Sequence, residues 1–178
     1  MKDNISPIFW LTGLSGSGKS TLSLSIKSFL SDYRFIIIDG DAVRDKYVEK
    51  LGFSKKDVLK NNLLIADYCK EVRADYDAVL VPVISPYSDV RLKVKKILDP
   101  NFHLIYINSD LATLRDRDPK GLYSAADRGV LNDLIGYSEL NPYDIPIRTN
   151  ITINTSNGNS QYDSEIKIIT YVESVINS

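Results

Sequence analysis

The sequence has very little of the chemistry that disulfides and metal clusters require. Its 178 residues include one cysteine, Cys69, and one histidine, His103. A disulfide within the chain is therefore excluded, and so is a zinc site built from several cysteine and histidine ligands. Both residues lie within apolar patterns, so we expect each of them to pack in the core or near the surface.

The sequence also lacks an excess of charge and a long apolar run. The chain has 22 basic and 23 acidic residues, which gives a net charge of −1. This balance gives no electrostatic footprint for a nucleic-acid polymer. No apolar run approaches the ~20 residues of a membrane span, and residues 1–6 have no signal-peptide core. We therefore expect a cytoplasmic protein without a membrane or nucleic-acid partner.

Short apolar runs alternate with segments of helical spacing, which predicts an α/β fold. The sheet is expected to be mainly parallel, with helices on both faces. The length suits one domain, residues 1–178. A last helix is predicted over 163–176, capped by Asp163 or Ser164. The other predicted strands are 8–11, 35–38, 78–83, 103–107 and 151–153, and the other predicted helices are 20–31, 41–51, 55–75 and 88–98.

Residues 13–20 read Gly-Leu-Ser-Gly-Ser-Gly-Lys-Ser and match the phosphate-binding pattern G-x-x-x-x-G-K-[ST]. Such a loop turns consecutive backbone N–H groups towards phosphate oxygens. Lys19 would face the β- and γ-phosphates, and the Ser20 hydroxyl is a suitable Mg²⁺ ligand. The alternative is a glycine-rich turn that matches by chance. The residues expected to hold ATP here are Gly13, Ser15, Gly16, Ser17, Gly18, Lys19, Ser20 and Thr21.

The second motif is acidic: Asp39-Gly40-Asp41 follows the second predicted strand, and Arg44 lies three residues after Asp41. A kinase needs one carboxylate to accept the proton of the attacking hydroxyl, and often another to orient Mg²⁺. Arg44 could grip an anionic acceptor with its planar guanidinium. The alternative is a helix N-cap at Asp41 beside a surface arginine.

Residues 116–148, the lid segment, are polar and contain several prolines and glycines. A long irregular segment in a compact domain is typical of a functional lid. Its charged residues near 115–120 favour a lid over the phosphates rather than a solvated loop, because phosphate transfer requires cations and the exclusion of water.

Taken together, the motifs resemble the adenylylsulfate (APS) kinases, which phosphorylate the ribose 3′-hydroxyl of adenosine 5′-phosphosulfate with MgATP. They occur in family order over nearly the whole chain. The matching pieces are 9–21, 39–44, 51–54 with Asp57 and Asn61, 84–87 with Arg91, 117–123 and 142–143. The resemblance implies a P-loop kinase fold and a homodimer.

The resemblance also implies roles for individual residues. Asp41 becomes the general base, with Asp39 beside Mg²⁺ and Lys120 at the reaction. Arg117 and Lys120 would belong to the lid over ATP. The residues implied on the acceptor side are Arg44 and Asn61 at its phosphate side, Phe53 against its base, Ser85 near the phosphates, and Ile84 and Leu134.

The chain departs from the family pattern mainly on that acceptor side. Leu64 stands where the family has an arginine, Asn132 where it has a lysine, and Leu134 where it has a phenylalanine. These losses favour a less anionic acceptor with a smaller base, as in the related cytidine diphosphoramidate kinases of capsule phosphoramidate synthesis. Adenylylsulfate remains the alternative acceptor. A catalytically silent nucleotide-binding regulator and a small-metabolite kinase for gluconate or shikimate are further alternatives.

Overall fold

The computed structural model describes residues 5–40, 43 and 52–178. Its described strands form one parallel sheet in the order β2-β3-β1-β4-β5. The strands are β1 (Ile8–Thr12), β2 (Phe35–Ile37), β3 (Ala78–Pro82), β4 (Phe102–Asn108) and β5 (Ile151–Asn154). The helices are α1 (Lys19–Phe29), α2 (Lys55–Val72), α3 (Ser88–Leu98), α4 (Leu111–Arg117), α5 (Leu122–Asp127) and α6 (Gln161–Ile176), with a 3₁₀ turn at Arg73–Asp75.

Strand β1 lies at the centre of the sheet and is buried along its whole length. Successive side chains of a strand point to opposite faces. Phe9 and Leu11 therefore pack on one face with residues of α1 and α6, whereas Ile8 and Trp10 pack on the other face with residues of α2 and α3. The predicted parallel α/β fold with helices on both faces is confirmed.

The lone cysteine and the lone histidine pack within the fold, as predicted. Cys69 is fully buried, and burial raises the pKa of its thiol to about 12. His103 is partly buried, and its two ring nitrogens are hydrogen-bonded to the Tyr171 hydroxyl and the Asn101 side chain at 2.7 and 2.9 Å. Among the residues that the structure describes, no helix is long and apolar enough to cross a bilayer.

The sequence misplaced the start of the last helix. Helix α6 begins at Gln161, and Ser160 is its N-cap, with an Oγ that accepts a hydrogen bond from the Asp163 backbone N–H at 3.3 Å. Neither Asp163 nor Ser164 caps the helix. The first turn of α6 is polar, so the periodic apolar residues, which start after this turn, did not indicate where the helix begins. The predicted helix over 41–51 falls outside the described residues apart from Val43.

The parallel strands all end at the same edge of the sheet. Loops that follow β1, β2, β3, β4 and β5 are therefore neighbours at this edge. In open α/β sheets, ligands bind beyond the carboxyl ends of the strands. The phosphate-binding motif follows β1 and the acidic motif follows β2, so the fold brings the two motifs together.

Candidate active site

A cavity of about 640 Å³ opens at this edge of the sheet. We distinguish two parts of its wall. The loop side consists of Ser15, Gly16, Gly18, Lys19, Ser20, Thr21, Asp39, Pro119, Lys120 and Leu122. The far side consists of Phe53, Val58, Asn61, Asn62, Ile84, Ser85, Pro86, Asp133, Leu134 and Ile135.

The phosphate-binding motif forms a tight loop that leads directly into α1. Gly18 is the residue before the helix and has a φ of 95°, a left-handed conformation that glycine adopts without strain. A Cβ on Gly13 would lie 2.4 Å from the carbonyl oxygen of Ile107, so only glycine fits against β4. The N-terminus of α1 therefore borders the cavity, where its free N–H groups favour an anion.

Lys19 is nearly buried and folds back along this loop. Its Nζ donates to the carbonyl oxygens of Gly13 and Leu14 at 2.9 and 2.7 Å. Behind the loop, Ser17 is fully buried, and its carbonyl oxygen accepts a hydrogen bond from Thr155 Oγ1 at 2.9 Å. Of the residues predicted to hold ATP on this loop, Gly13 and Ser17 support it from behind and the others line the cavity.

Asp39 and Ser20, the predicted Mg²⁺ ligands, both line the loop side. Among the described residues, no group of three or more histidine, cysteine or acidic side chains is placed to hold a metal ion. Mg²⁺ with a nucleotide does not need such a cluster, because it is held by one or two protein oxygens together with phosphates. A carboxylate and a hydroxyl in one wall fit that chemistry. Asp41 and Arg44 lie outside the described residues.

The turn after β3 brings Ser85 to the cavity in an unusual conformation. Ser85 has a φ of 44°, and its buried Oγ has no hydrogen-bond partner within the described part of the chain. The buried guanidinium of Arg91 holds the turn by donating to the carbonyl oxygens of Ser85 and Pro86 at 2.7 and 2.9 Å, and also to that of Asp144. Burial lowers the pKa of Arg91. Arg91 thus positions Ser85 without lining the cavity itself.

The far side is largely apolar and carries little charge. Phe53 and Leu134 both line it, and Phe53 is about half exposed. Among the described residues of this side, Asp133 is the charged one, and none is lysine or arginine. Two polar side chains that sequence reasoning did not single out, Asn62 and Asp133, belong to this wall. Their only sequence signal was the proximity of each to a residue that was predicted.

The lid segment is more ordered than its composition indicated, because helix α5 and an apolar cluster organise it. Leu114, Tyr123 and Leu134 are buried together against Leu14 of the phosphate-binding loop. The Tyr123 hydroxyl donates to the Ser15 carbonyl oxygen at 2.8 Å. Burial raises the pKa of Tyr123, so this hydroxyl stays a donor at neutral pH.

Asp118 fixes the start of α5 next to this contact. Its carboxylate accepts the backbone N–H groups of Tyr123 and Ser124 at 3.1 and 2.9 Å. Lys120 lies between these anchored residues and lines the cavity. Arg117 does not belong to the cavity wall. Its guanidinium donates to the carbonyl oxygen of Thr155 at 2.6 Å.

Comparison with known proteins gives consistent results. The family model described as adenylylsulphate kinase matches residues 5–154. An adenylyl-sulfate kinase of Clostridium kluyveri is 35% identical over 151 residues, which cover 84% of this chain and 75% of that one. The corresponding enzyme of Shewanella sp. strain MR-7 is 35% identical over 175 residues, or 96% of this chain and 84% of its own.

Solved structures show the same likeness. The Mycobacterium tuberculosis APS kinase CysC in complex with AMPPNP and APS superposes with a TM-score of 0.80 at 27% identity, covering 97% of this chain and 98% of its own. A protein designated APE1195 superposes with a TM-score of 0.83 at 30% identity, covering 96% and 97% of the two chains. The predicted P-loop kinase fold is confirmed.

Proposed function

The chain belongs to the adenylylsulphate kinase family, and from that premise we propose that it transfers the γ-phosphate of ATP to the ribose 3′-hydroxyl of adenosine 5′-phosphosulfate. One observation carries the proposal. Residues of the phosphate-binding loop and of the turn at 84–86 line the same cavity, which also takes in Lys120 of the lid segment. A donor nucleotide on the loop side would thus face an acceptor on the far side.

On the loop side, the chain's own groups would bind and orient the ATP phosphates. The N-terminus of α1 supplies backbone N–H donors, and Lys19 supplies a cation that can turn from the carbonyl oxygens of Gly13 and Leu14 to a phosphate oxygen. Ser20 and Asp39 would hold Mg²⁺, which neutralises charge on the β- and γ-phosphates when bound. Lys120 would stabilise the transferred group from the lid segment.

Asp41 is the proposed general base that accepts the proton of the 3′-hydroxyl. The assignment follows from the Asp39-Gly40-Asp41 motif and the family resemblance. Phe53 would stack on the acceptor base, while Arg44 and Asn61 would hold its phosphate side. Ile84, Ser85 and Leu134 would complete the acceptor site. Leu134 is aliphatic, whereas the family has a phenylalanine at this position.

Cytidine diphosphoramidate is a second candidate acceptor, and one observation favours it. The described residues of the far side include no arginine or lysine, and Leu64 stands where the family has an arginine. Each charge-assisted hydrogen bond lost in this way weakens the binding of an anion by about 1.5–3 kcal/mol. The terminal phosphoramidate presents an NH₂ donor and two oxygens where sulfate presents three acceptor oxygens, so this acceptor depends less on such bonds.

Assembly is a separate proposal. We propose that the chain forms a homodimer, as the family resemblance implies. Light scattering at micromolar protein concentration would show twice the 20.0 kDa chain mass. A monomer mass at all concentrations would overturn the dimer and leave the kinase proposal standing.

The kinase proposal is tested by ATP consumption with adenosine 5′-phosphosulfate and by the position of the new phosphate on the ribose. We expect Asp41→Asn to lower kcat by about 10²- to 10⁴-fold, the range typical of a general base. Asp32→Asn, at an exposed position outside the cavity wall, is the matched control and should retain wild-type turnover. Absence of ATP consumption by the wild type with every nucleotide acceptor would instead support the silent regulator.

A further inference from the structure

The buried face of α2 is apolar except at two adjacent asparagines. Val58, Ile65 and Cys69 pack from this face into the core, whereas Asn61 and Asn62 border the cavity. The two asparagines are 3% and 2% exposed. The Oδ1 atom of each has no hydrogen-bond partner within the described part of the chain. Buried acceptors without donors cost folding free energy, so they require an explanation.

The orientation of the Asn62 amide is fixed by chemistry. Its Nδ2 lies 3.0 Å from the backbone carbonyl oxygen of Val58, one turn earlier in α2. A carbonyl oxygen only accepts hydrogen bonds, so the NH₂ group must face it. The oxygen of Asn62 is therefore the atom left over, in a residue that lines the cavity.

A bare acceptor oxygen selects the kind of ligand group that it meets. It repels phosphate and sulfate oxygens, which are also acceptors, and it attracts an N–H donor. The described residues of the far side add no basic side chain that would draw an anion to this point. Within the described part of the chain, the surroundings of Asn62 thus suit an uncharged amine.

We propose that Asn62 is a specificity-determining residue whose Oδ1 accepts a hydrogen bond from an uncharged amine N–H of the acceptor nucleotide. The inference rests on the proposed function, because it assumes that a nucleotide occupies the far side. Two sources supply such an N–H: the exocyclic amine of the base, and the terminal NH₂ of a phosphoramidate. A site built to pair a polar group rejects the analogue that lacks it, because its own polar atom then stays unpaired.

The experiment compares kcat/KM for matched acceptors with the wild type and with Asn62→Leu. One arm replaces the base amine by hydrogen, using adenosine and purine riboside 5′-phosphosulfate. The other arm uses cytidine diphosphoramidate and its N,N-dimethyl derivative, which keeps the charge and removes the N–H. In the arm that matches the true source, we expect the wild type to lose at least tenfold on removal of the N–H. In Asn62→Leu that ratio should fall to near one.

Two controls show that the variant changes recognition and not folding. Asn62→Leu removes an unpaired buried oxygen from an apolar face, so its Tm should equal or exceed that of the wild type. Asp67→Leu, at an exposed position of the same helix, should keep the wild-type acceptor ratios.

The outcomes separate this inference from the proposed function. Equal ratios in the wild type and in Asn62→Leu, in both arms, would overturn the role of Asn62 while turnover upholds the kinase. If no acceptor is phosphorylated, calorimetric affinities for the same four nucleotides replace kcat/KM. Affinities that depend on the N–H in the wild type alone would support Asn62 and overturn the kinase. If the affinities do not depend on the N–H, both the kinase and the role of Asn62 are overturned.

Discussion

The two sides of the cavity satisfy their polar groups in different ways. On the loop side, Lys19 donates to carbonyl oxygens of its own loop, and the carbonyl oxygen of Ser15 accepts a hydrogen bond from Tyr123. On the far side, the oxygens of Asn61 and Asn62 have no donor within the described part of the chain. Within the described part of the chain, the polar groups of the loop side are thus paired with the protein itself, whereas the far side retains unpaired acceptor oxygens.

This difference separates the reaction type from the choice of acceptor. The proposed phosphate-binding site consists of eight consecutive residues, 13–20, that follow a buried strand. The proposed acceptor site is spread over α2, the turn after β3 and residues 133–135, which meet only in the folded chain. Substitutions on the loop side should therefore affect all acceptors alike, and those on the far side should affect acceptors unequally.

The largest effect is expected from Lys19→Ala on the loop side. Loss of a preorganised cation at the transferring phosphate should lower kcat by about 10²- to 10³-fold with every acceptor. Steady-state ATP turnover measures it, and Lys93→Ala, an exposed lysine of α3, serves as control. A variant that slowed one acceptor and spared another would break the comparison between the two sides.

Arg91→Lys should give the next largest effect, by loosening the turn that carries Ser85. Lysine cannot span the three carbonyl oxygens that the guanidinium reaches, so we expect a loss of about 2–3 kcal/mol in the free energy of unfolding. Urea denaturation measures it against Arg148→Lys, an exposed arginine. Unchanged stability would show that the three hydrogen bonds do not hold the far side in place.

Tyr123→Phe tests the contact between the lid segment and the loop. It removes one buried hydrogen bond to Ser15, worth about 1 kcal/mol, and should lower kcat/KM for ATP about three- to tenfold. Tyr162→Phe, which is exposed on α6, is the control. A change confined to the KM of the acceptor would instead show that Tyr123 contributes to acceptor binding and not to ATP binding.

Asp133→Asn should give the smallest effect. Removal of this charge from the far side should lower the KM for adenosine 5′-phosphosulfate about two- to threefold, because a partly exposed carboxylate repels an anion only weakly. The gain should shrink as salt screens the charge. A gain that is equal for ATP and for the acceptor would mean that Asp133 does not distinguish the two sides.

The strands and the loop side could be predicted because each depends on adjacent residues. Apolar runs placed β1 to β5 to within about one residue at each end, and the spacing of Gly13, Gly18 and Lys19 identified the phosphate loop. Ser160 was missed as a helix cap because the first turn of α6 has no apolar residue on a periodic face.

The far side was less predictable because tertiary packing decides it. Nothing local distinguishes the buried oxygen of Asn62 from a solvated one, and nothing local shows that Asp133 approaches the same cavity. Arg117 was assigned to ATP from its place in a motif; its side chain contacts Thr155, and its role towards ATP stays a prediction. The roles of Asp41 and Arg44 stay predictions from the sequence.

The central claim is tested most directly by the kcat/KM of the wild-type protein for adenosine 5′-phosphosulfate and for cytidine diphosphoramidate, measured side by side with MgATP. The account predicts formation of the 3′-phosphorylated product from adenosine 5′-phosphosulfate with the higher kcat/KM of the two. A tenfold preference for cytidine diphosphoramidate would contradict the proposed acceptor, and turnover of neither nucleotide would contradict the proposed kinase.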